Sequence, residues 1–351
     1  MPLIAHTNLP SFERLKAEGE IVLSKDRANH QVIRELHIGL LNMMPDAALE
    51  ATERQFFRLI GHSNQIAQFY LHPFTLPSIE RGEKASAHIN EHYQTFEAIK
   101  AQGLDALIIT GAHMEQADLQ QAPFYEQLKE VLDWSYEHVT STLCSCLATH
   151  AVMEFKYGQK RRAMGSKCWG VFEHQITDRT HPLMSGVNTG FNVPHSRFNE
   201  ITKGQFKTAG VHILVDSSVG AHLCVSEDLL RIVFFQGHPE YDTISLLKEY
   251  KREIMAYLSN SRDSYPPFPQ HYLTEQSKAI LNEYQTRLLS GEFSLQDFPE
   301  ALITKTLNNT WHDATSAIIN NWIGCVYQVT HEEVDKPFMD GINPNDPLNL
   351  K

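Results

Sequence analysis

Short apolar runs alternate with helix-forming segments along the first half of the chain, and this alternation constrains the fold more than any other feature. Two runs are mostly apolar, as strands buried on both faces are: 36–43 and 104–110. A third run, 138–144, is predicted to be a strand because it is rich in residues that favour strands. Helices are predicted between or after them, over 47–60, 123–138 and 147–157. The alternation predicts βαβ units, and therefore an α/β fold with a mainly parallel sheet covered by helices on both faces.

The second half of the chain is less regular. Strands are predicted over 169–176, 222–226 and 229–235, and helices over 244–258, 274–289 and 310–323. We therefore expect a single α/β domain over 35–330 that includes appended C-terminal helices. Residues 1–34 are interpreted as an N-terminal extension and 331–351 as a C-terminal tail.

Composition excludes several other classes of protein. The 351 residues are 42% hydrophobic, which is typical of a globular chain, and the net charge of −12 disfavours nonspecific binding to nucleic acid or to an anionic membrane. Five cysteines without CxxC spacing, together with the lack of an HExxH motif, predict neither a disulfide framework nor a metal site. No apolar run approaches the roughly 20 residues of a membrane span, and no signal peptide is visible at the start. We expect a cytoplasmic protein.

Cys146 is a candidate nucleophile because it falls where a predicted strand passes into a predicted helix. A side chain there can project from a sharp turn, close to the backbone N–H groups that begin the helix. A helix N-terminus also favours the thiolate form of a cysteine, which is the nucleophile. Position alone leaves a structural role open, since free cysteines are most often small buried side chains. We assign that role to Cys144.

Gly237-His-Pro-Glu240 follows the predicted strand 229–235, at the edge of the sheet where open α/β folds bind ligands. His238 can take a proton from a thiol there, and Glu240 can orient its imidazole. The alternative is a loop histidine without a catalytic role, because the chain contains 19 histidines.

Two weaker motifs carry small residues or polar groups. Gly111 and Ala112 follow the run 104–110, and small residues let backbone N–H groups approach an oxyanion closely. Pro194-His-Ser-Arg197 is predicted to be a loop, which either binds a carboxylate or an amino acid or is simply a solvated turn.

Several motifs occur in a fixed order along the chain: Leu40-Leu-Asn-Met-Met-Pro45, Thr110-Gly-Ala112, Thr140-Ser-Thr-Leu143 with Cys146, Gly170-Val-Phe-Glu-His174, Pro194-His-Ser-Arg197, Gly237-His-Pro-Glu-Tyr-Asp242, and Asn321-Trp322 before Val326-Tyr-Gln328. The set resembles the homoserine O-acyltransferases of the MetA type, from about residue 35 to 330. The resemblance implies a class I glutamine-amidotransferase-like, flavodoxin-like fold. It also implies acyl transfer from acyl-CoA to the hydroxyl of L-homoserine, in methionine biosynthesis, with no cofactor beyond the acyl-CoA co-substrate.

The resemblance assigns roles to individual residues. Cys146 matches the nucleophile, His238 the general base and Glu240 the carboxylate that orients the base. Substrate-binding positions of the family match Lys167, Ser196 and Arg252, and the oxyanion is expected to be held by backbone N–H groups of Gly111, Ala112 and Leu147. Homodimers are common in the family, whereas the sequence itself leaves the oligomeric state open.

Glu115 bears on the choice of acyl donor. At this position the family pairs glycine with succinyl-CoA and glutamate with acetyl-CoA, and a glutamate fills space and repels the succinyl carboxylate. We therefore predict acetyl-CoA as the donor. Succinyl-CoA stays the alternative, because a protonated His113, where the family usually has proline, could offset the charge of Glu115. A further alternative is a glutamine amidotransferase-like cysteine hydrolase, which uses the same three catalytic residue types.

Overall fold

The computed structural model describes residues 3–29, 33–64, 66–112, 114, 118–331, 333–334 and 341–351. Its strands are β1 (Leu3–Ala5), β2 (Val22–Ser24), β3 (Glu35–Leu41), β4 (Gln68–Phe74), β5 (Ala106–Ile109), β6 (Ser141–Ser145), β7 (Arg162–Ile176), β8 (Gly190–Glu200), β9 (His212–Ser217), β10 (Gly220–Val225) and β11 (Ile232–Phe235).

Twelve α-helices occur in the described residues. They are α1 (Pro10–Ala17), α2 (Lys25–Ala28), α3 (Leu49–Ser63), α4 (Glu83–His92), α5 (Phe96–Gln102), α6 (Tyr125–His138), α7 (Leu147–Tyr157), α8 (Lys203–Thr208), α9 (Ser245–Leu258), α10 (Glu275–Leu289), α11 (Glu300–Thr304) and α12 (His312–Val329). Short 3-10 helices cover Leu119–Gln121, Pro182–Met184 and Leu295–Asp297.

The described strands form one sheet in the order β2-β1-β4-β3-β5-β6-β11-β10-β9-β7-β8. Neighbouring strands from β2 to β11 in this order are parallel, whereas β10, β9, β7 and β8 are added antiparallel at one side. The predicted class, a mainly parallel sheet with C-terminal helices, is confirmed.

Helices cover both faces of the parallel strands, so these strands are apolar on both sides. In β5, Ala106 and Ile108 join one hydrophobic cluster with side chains of α3 and α12, whereas Leu107 and Ile109 join a second cluster with α6 and α7. Successive side chains of a strand point to opposite faces, and burial of both faces explains the continuous apolar run in the sequence.

A third hydrophobic cluster joins the sheet to the C-terminal helices. Trp169 and Val171 of β7 pack against Leu247 and Tyr250 of α9 and against residues of α10 and α11. This packing holds α9 beside β7, which matters for the site described below.

The first residues of the chain belong to the sheet. Strand β1 pairs in parallel with both β2 and β4, and Leu3 lies in the main hydrophobic cluster. Strands of three residues leave little periodicity to read, which is why sequence analysis interpreted residues 1–34 only as an extension.

No helix in the described part of the chain is both long enough and apolar enough to cross a membrane.

Candidate active site

The ends of three neighbouring parallel strands bring the candidate residues together. Ile109 of β5 lies opposite Cys144 of β6, and Cys144 lies opposite Phe234 of β11. The segments that follow these strands therefore leave the sheet at the same edge. They contain Gly111, Cys146 and His238, which are distant in sequence.

Cys146 occupies a strained turn between β6 and α7. Its φ of 51° and ψ of −106° are unusual for a residue with a side chain, and such a conformation costs about 1–3 kcal/mol. Hydrogen bonds fix the turn, because the N–H of Cys146 donates to the carbonyl oxygen of Phe235 at 2.8 Å. The hydroxyl of Thr149 lies 2.9 Å from the carbonyl oxygens of both Cys144 and Phe235. The surrounding fold therefore holds Cys146 at the edge of the sheet.

The five cysteines differ in their exposure. Cys146 is partly exposed, whereas Cys144, Cys168, Cys224 and Cys325 are buried, and all five are free thiols. The burial of Cys144 agrees with the structural role that sequence analysis gave it. An external reagent therefore meets Cys146 first.

His238 and Glu240 are both buried, and their side chains form an ion-pair geometry. Nδ1 of His238 donates a hydrogen bond to Oε1 of Glu240 at 2.8 Å. Burial lowers the pKa of His238, but the negative charges of Glu240 and Cys146, with hydrogen bonds to both, raise this pKa well above its ordinary value. Because Glu240 engages Nδ1, Nε2 is the nitrogen left for proton exchange.

A cavity of about 490 Å³ contains most of the predicted site residues. It is lined by Cys146 and His238, by Gly111, Ala112 and Leu147 beside the cysteine, and by Lys167, Ser196 and Arg252. Glu240 lies behind His238, outside the lining. Glu115 and His113, from which the acyl donor was predicted, lie outside the described residues.

Strands β7 and β8 bring Lys167 and Ser196 to the same wall of this cavity, since Trp169 pairs with Ser196 across the two strands. The prediction that Pro194–Arg197 is a loop was wrong, because these residues lie inside β8. His195 and Arg197 are buried, whereas Ser196 between them is partly exposed; both Ser196 and Arg197 contribute to the lining of the cavity.

Close packing against β8 positions the backbone of His238. Its N–H donates to the carbonyl oxygen of Pro194 at 2.8 Å. A Cβ on Gly237 would lie 2.6 Å from Cγ1 of Val193 and 2.9 Å from the same carbonyl oxygen. Only glycine fits at position 237 without moving β8 away from His238.

Sequence analysis missed Glu249, which is the centre of a hydrogen-bond network in the cavity. Its carboxylate accepts from the hydroxyls of Ser196 (2.8 Å) and Tyr241 (2.7 Å) and from Nε1 of Trp169 (2.8 Å). Nζ of Lys167 lies 3.8 Å away. Glu249 precedes Arg252 by three residues on α9, so the helical period already placed the two side chains on one face.

A larger groove of about 820 Å³ lies on the antiparallel part of the sheet and contains none of the predicted site residues. Among the described residues, no group of three or more histidine, cysteine, aspartate or glutamate side chains is arranged to hold a metal ion.

These features define a class of protein: an α/β fold with a cysteine, a histidine and a glutamate at the carboxyl edge of its parallel sheet. A model of the homoserine O-succinyltransferase family matches residues 2–332 of the chain. The chain belongs to this family, which confirms the resemblance found in its motifs.

Relatives that match the chain over its whole length carry the name homoserine O-succinyltransferase, as three examples show. The relative from Nitrosococcus oceani is 61% identical, with 100% of this chain and 99% of the relative covered. The one from Allochromatium vinosum is 59% identical, with 100% and 99% covered. The one from Thiobacillus denitrificans is 59% identical, with 100% of both chains covered.

Two of the solved structures to which the chain is similar are glutamine amidotransferases. The one from Thermotoga maritima has a TM-score of 0.48 and 11% identity, covering 83% of this chain and 97% of that protein. The one from Methylobacillus flagellatus has a TM-score of 0.42 and 12% identity, covering 83% and 95%.

Proposed function

We propose that the chain transfers a succinyl group from succinyl-CoA to the hydroxyl of L-homoserine, through a thioester on Cys146. The observation that carries the proposal is the arrangement of Cys146 and His238 in one cavity, with Glu240 holding the imidazole from behind. Such an arrangement supports nucleophilic catalysis by a cysteine. The product would serve methionine biosynthesis.

In the first half-reaction, the thiolate of Cys146 attacks the thioester carbonyl carbon of the donor. The carbonyl oxygen becomes an oxyanion, for which the backbone N–H groups of Gly111, Ala112 and Leu147 are the proposed donors. The carbon–sulfur bond to coenzyme A then breaks. The departing thiolate takes the proton of the His238 imidazolium, and the succinyl group stays on Cys146.

In the second half-reaction, neutral His238 removes the proton from the homoserine hydroxyl, and the oxygen attacks the acyl carbon. The bond to the sulfur of Cys146 breaks, which restores the thiolate and the imidazolium and releases O-succinylhomoserine. The negative charge of Glu240 favours the imidazolium in the free enzyme, which is the state before the first and after the second half-reaction. Two half-reactions with a covalent intermediate predict ping-pong kinetics.

The far wall of the cavity offers complementary charges to an amino acid. Lys167 and Arg252 are proposed to bind the α-carboxylate of homoserine, and Ser196 to position the substrate. Glu249 is proposed to accept the α-ammonium group, because its carboxylate lines this cavity and can accept a further hydrogen bond beside the three it already accepts. The acceptor hydroxyl then points back towards Cys146.

The donor is proposed from the relatives, which are named O-succinyltransferases at up to 61% identity over the whole chain. They do not support the preference for acetyl-CoA predicted from Glu115. Acetyl-CoA is kept as the second candidate, because a glutamate does stand at position 115. The homodimer and the cytoplasmic location likewise stay predictions.

Donor-resolved kinetics test the proposal. The protein is assayed with homoserine and either succinyl-CoA or acetyl-CoA, and the products are identified by mass spectrometry. We expect O-succinylhomoserine to be the main product and kcat/KM to be at least tenfold higher for succinyl-CoA. A higher value for acetyl-CoA would refute the donor, and no acylation of homoserine by either donor would refute the function. Ammonia release from glutamine would instead indicate a hydrolase.

A further inference from the structure

The succinyl group differs from the acetyl group by a second carboxylate, and this charge has to be accommodated close to Cys146. A carboxylate that leaves water needs a cation or several hydrogen-bond donors to replace its hydration. Among the described residues, four arginine or lysine side chains line the cavity: Arg161, Lys167, Arg197 and Arg252.

Three of these cations have other partners or a proposed role elsewhere. Nζ of Lys167 is 3.2 Å from Glu253, and Lys167 and Arg252 are the proposed ligands of the acceptor carboxylate. Arg197 is buried, and its guanidinium donates to Nδ1 of His195 at 3.3 Å and to the carbonyl oxygens of Asn199 and Val219 at 3.2 and 2.6 Å. Its donors are used within the fold.

Arg161 lines the same cavity as Cys146 and the proposed oxyanion donors. It shares the lining with Leu147 and Met114, and its Nη2 is 3.6 Å from Sδ of Met114. The guanidinium is partly buried, and it interacts electrostatically with Cys146. Because Arg161 and Cys146 line one cavity, an acyl group bound to the sulfur of Cys146 enters the space beside this cation.

Other charges also act on Arg161. Glu154 and Asp118 attract it, but both also lie 3.6 Å from Nζ of Lys160. Oε1 of Glu154 additionally accepts a hydrogen bond from Gln120 at 3.0 Å. Both acids are thus shared between Arg161 and Lys160.

We propose that Arg161 is the specificity-determining residue that binds the free carboxylate of the succinyl donor. Its planar guanidinium can bind a carboxylate through two parallel hydrogen bonds, which a neutral acetyl group cannot use. The proposal rests on the function proposed above and deepens it. It also answers the objection raised from Glu115, because a cation in the acyl region offsets the repulsion of the succinyl carboxylate.

The test compares Arg161→Met, Arg161→Lys and a matched control, Arg162→Met. Arg162 is the next residue, is exposed and lies outside the cavity lining.

For Arg161→Met we expect kcat/KM with succinyl-CoA to fall about 10- to 100-fold, the usual effect of losing hydrogen bonds to a charged group. With acetyl-CoA it should change less than about threefold, which also shows that the variant is folded. Arg161→Lys should keep part of the activity, and Arg162→Met should match the wild type with both donors.

A second donor removes the same charge from the substrate. The wild type should use succinyl-CoA with a methylated carboxylate poorly, and Arg161→Met should use this donor about as poorly as the wild type does. Methylation of the donor and substitution of Arg161 remove the same interaction, so their effects should not add. An equal loss with all three donors, or no loss with succinyl-CoA, would overturn the proposal. The wild-type reaction tests the proposed function separately. If the wild type acylates homoserine from succinyl-CoA but Arg161→Met shows no selective loss, only the role of Arg161 is refuted.

Discussion

The ring of Tyr241 stacks on the imidazole of His238, with ring centroids 4.4 Å apart and ring planes inclined by 16°. The hydroxyl of Tyr241 donates to Oε1 of Glu249 at 2.7 Å, and its carbonyl oxygen accepts from Nε1 of Trp311 at 2.8 Å. One residue therefore touches both the proposed general base and the proposed ligand of the substrate ammonium group. This makes Tyr241 a positioning residue.

Replacing Tyr241 by phenylalanine separates these two contacts. The ring and its stacking on His238 are kept, whereas the hydrogen bond to Glu249 is lost. We expect KM for homoserine to rise about tenfold, because a hydrogen bond to a charged group is removed, and kcat to change less than about threefold. Steady-state kinetics measure both constants. Tyr257→Phe, on the same helix as Glu249 but outside the cavity, is the control and should leave KM unchanged. A fall in kcat without a change in KM would contradict this assignment.

Much of the fold was predictable because long helices carry periodic patterns and strands buried on both faces are continuous apolar runs. The helix over 147–157 has the predicted bounds, with Gly158 in the left-handed conformation at its end, and β5 and β11 lie inside the predicted strands. The short strands β1 and β2 were missed, because three residues cannot establish a period. Strand β8 was missed because its buried side includes His195 and Arg197, whose polarity suggested a loop.

Two site residues were predictable because each lies shortly after a predicted strand. Cys146 follows β6 and His238 follows β11, and the carboxyl ends of parallel strands meet at the edge of the sheet where ligands bind. Glu249 and Arg161 required knowledge of which face of α9 and which end of β7 turn towards the cavity. Tertiary packing decides that, through Trp169 and Tyr250 in the cluster that joins the sheet to α9.

Replacing Glu240 by glutamine tests the electrostatic part of the mechanism. The carboxylate raises the pKa of His238, so a neutral side chain of the same shape should lower that pKa. The imidazolium would then lose its proton at lower pH, and the basic limb of the pH profile for acyl-enzyme formation should move to lower pH. NMR titration of the imidazole measures the pKa directly. Glu227→Gln, which removes an exposed carboxylate, should leave the titration unchanged, and an unchanged pKa in Glu240→Gln would contradict the assignment.

Gly237 is a steric requirement of the site. In Gly237→Ala the added methyl group would lie 2.6 Å from Cγ1 of Val193, so β8 or the His238 segment has to move. We expect the free energy of unfolding to fall by about 1–3 kcal/mol, with a loss of activity because His238 is displaced. Gly324→Ala is the control, since no atom lies within 4 Å of the added carbon and alanine favours a helix. Thermal or urea unfolding should show the loss only in Gly237→Ala; equal stabilities would refute the steric argument.

The thioester on Cys146 is the central claim, and mass spectrometry of the acyl-enzyme tests it most directly. The protein is incubated with succinyl-CoA without homoserine, and the modified peptide is mapped. We predict one succinyl group on Cys146, the partly exposed thiol, which disappears when homoserine is added. Cys146→Ala should form no adduct and lose homoserine acylation by at least about 10³-fold. A wild type that acylates homoserine without a detectable adduct, or an adduct that maps to another residue, would contradict the account.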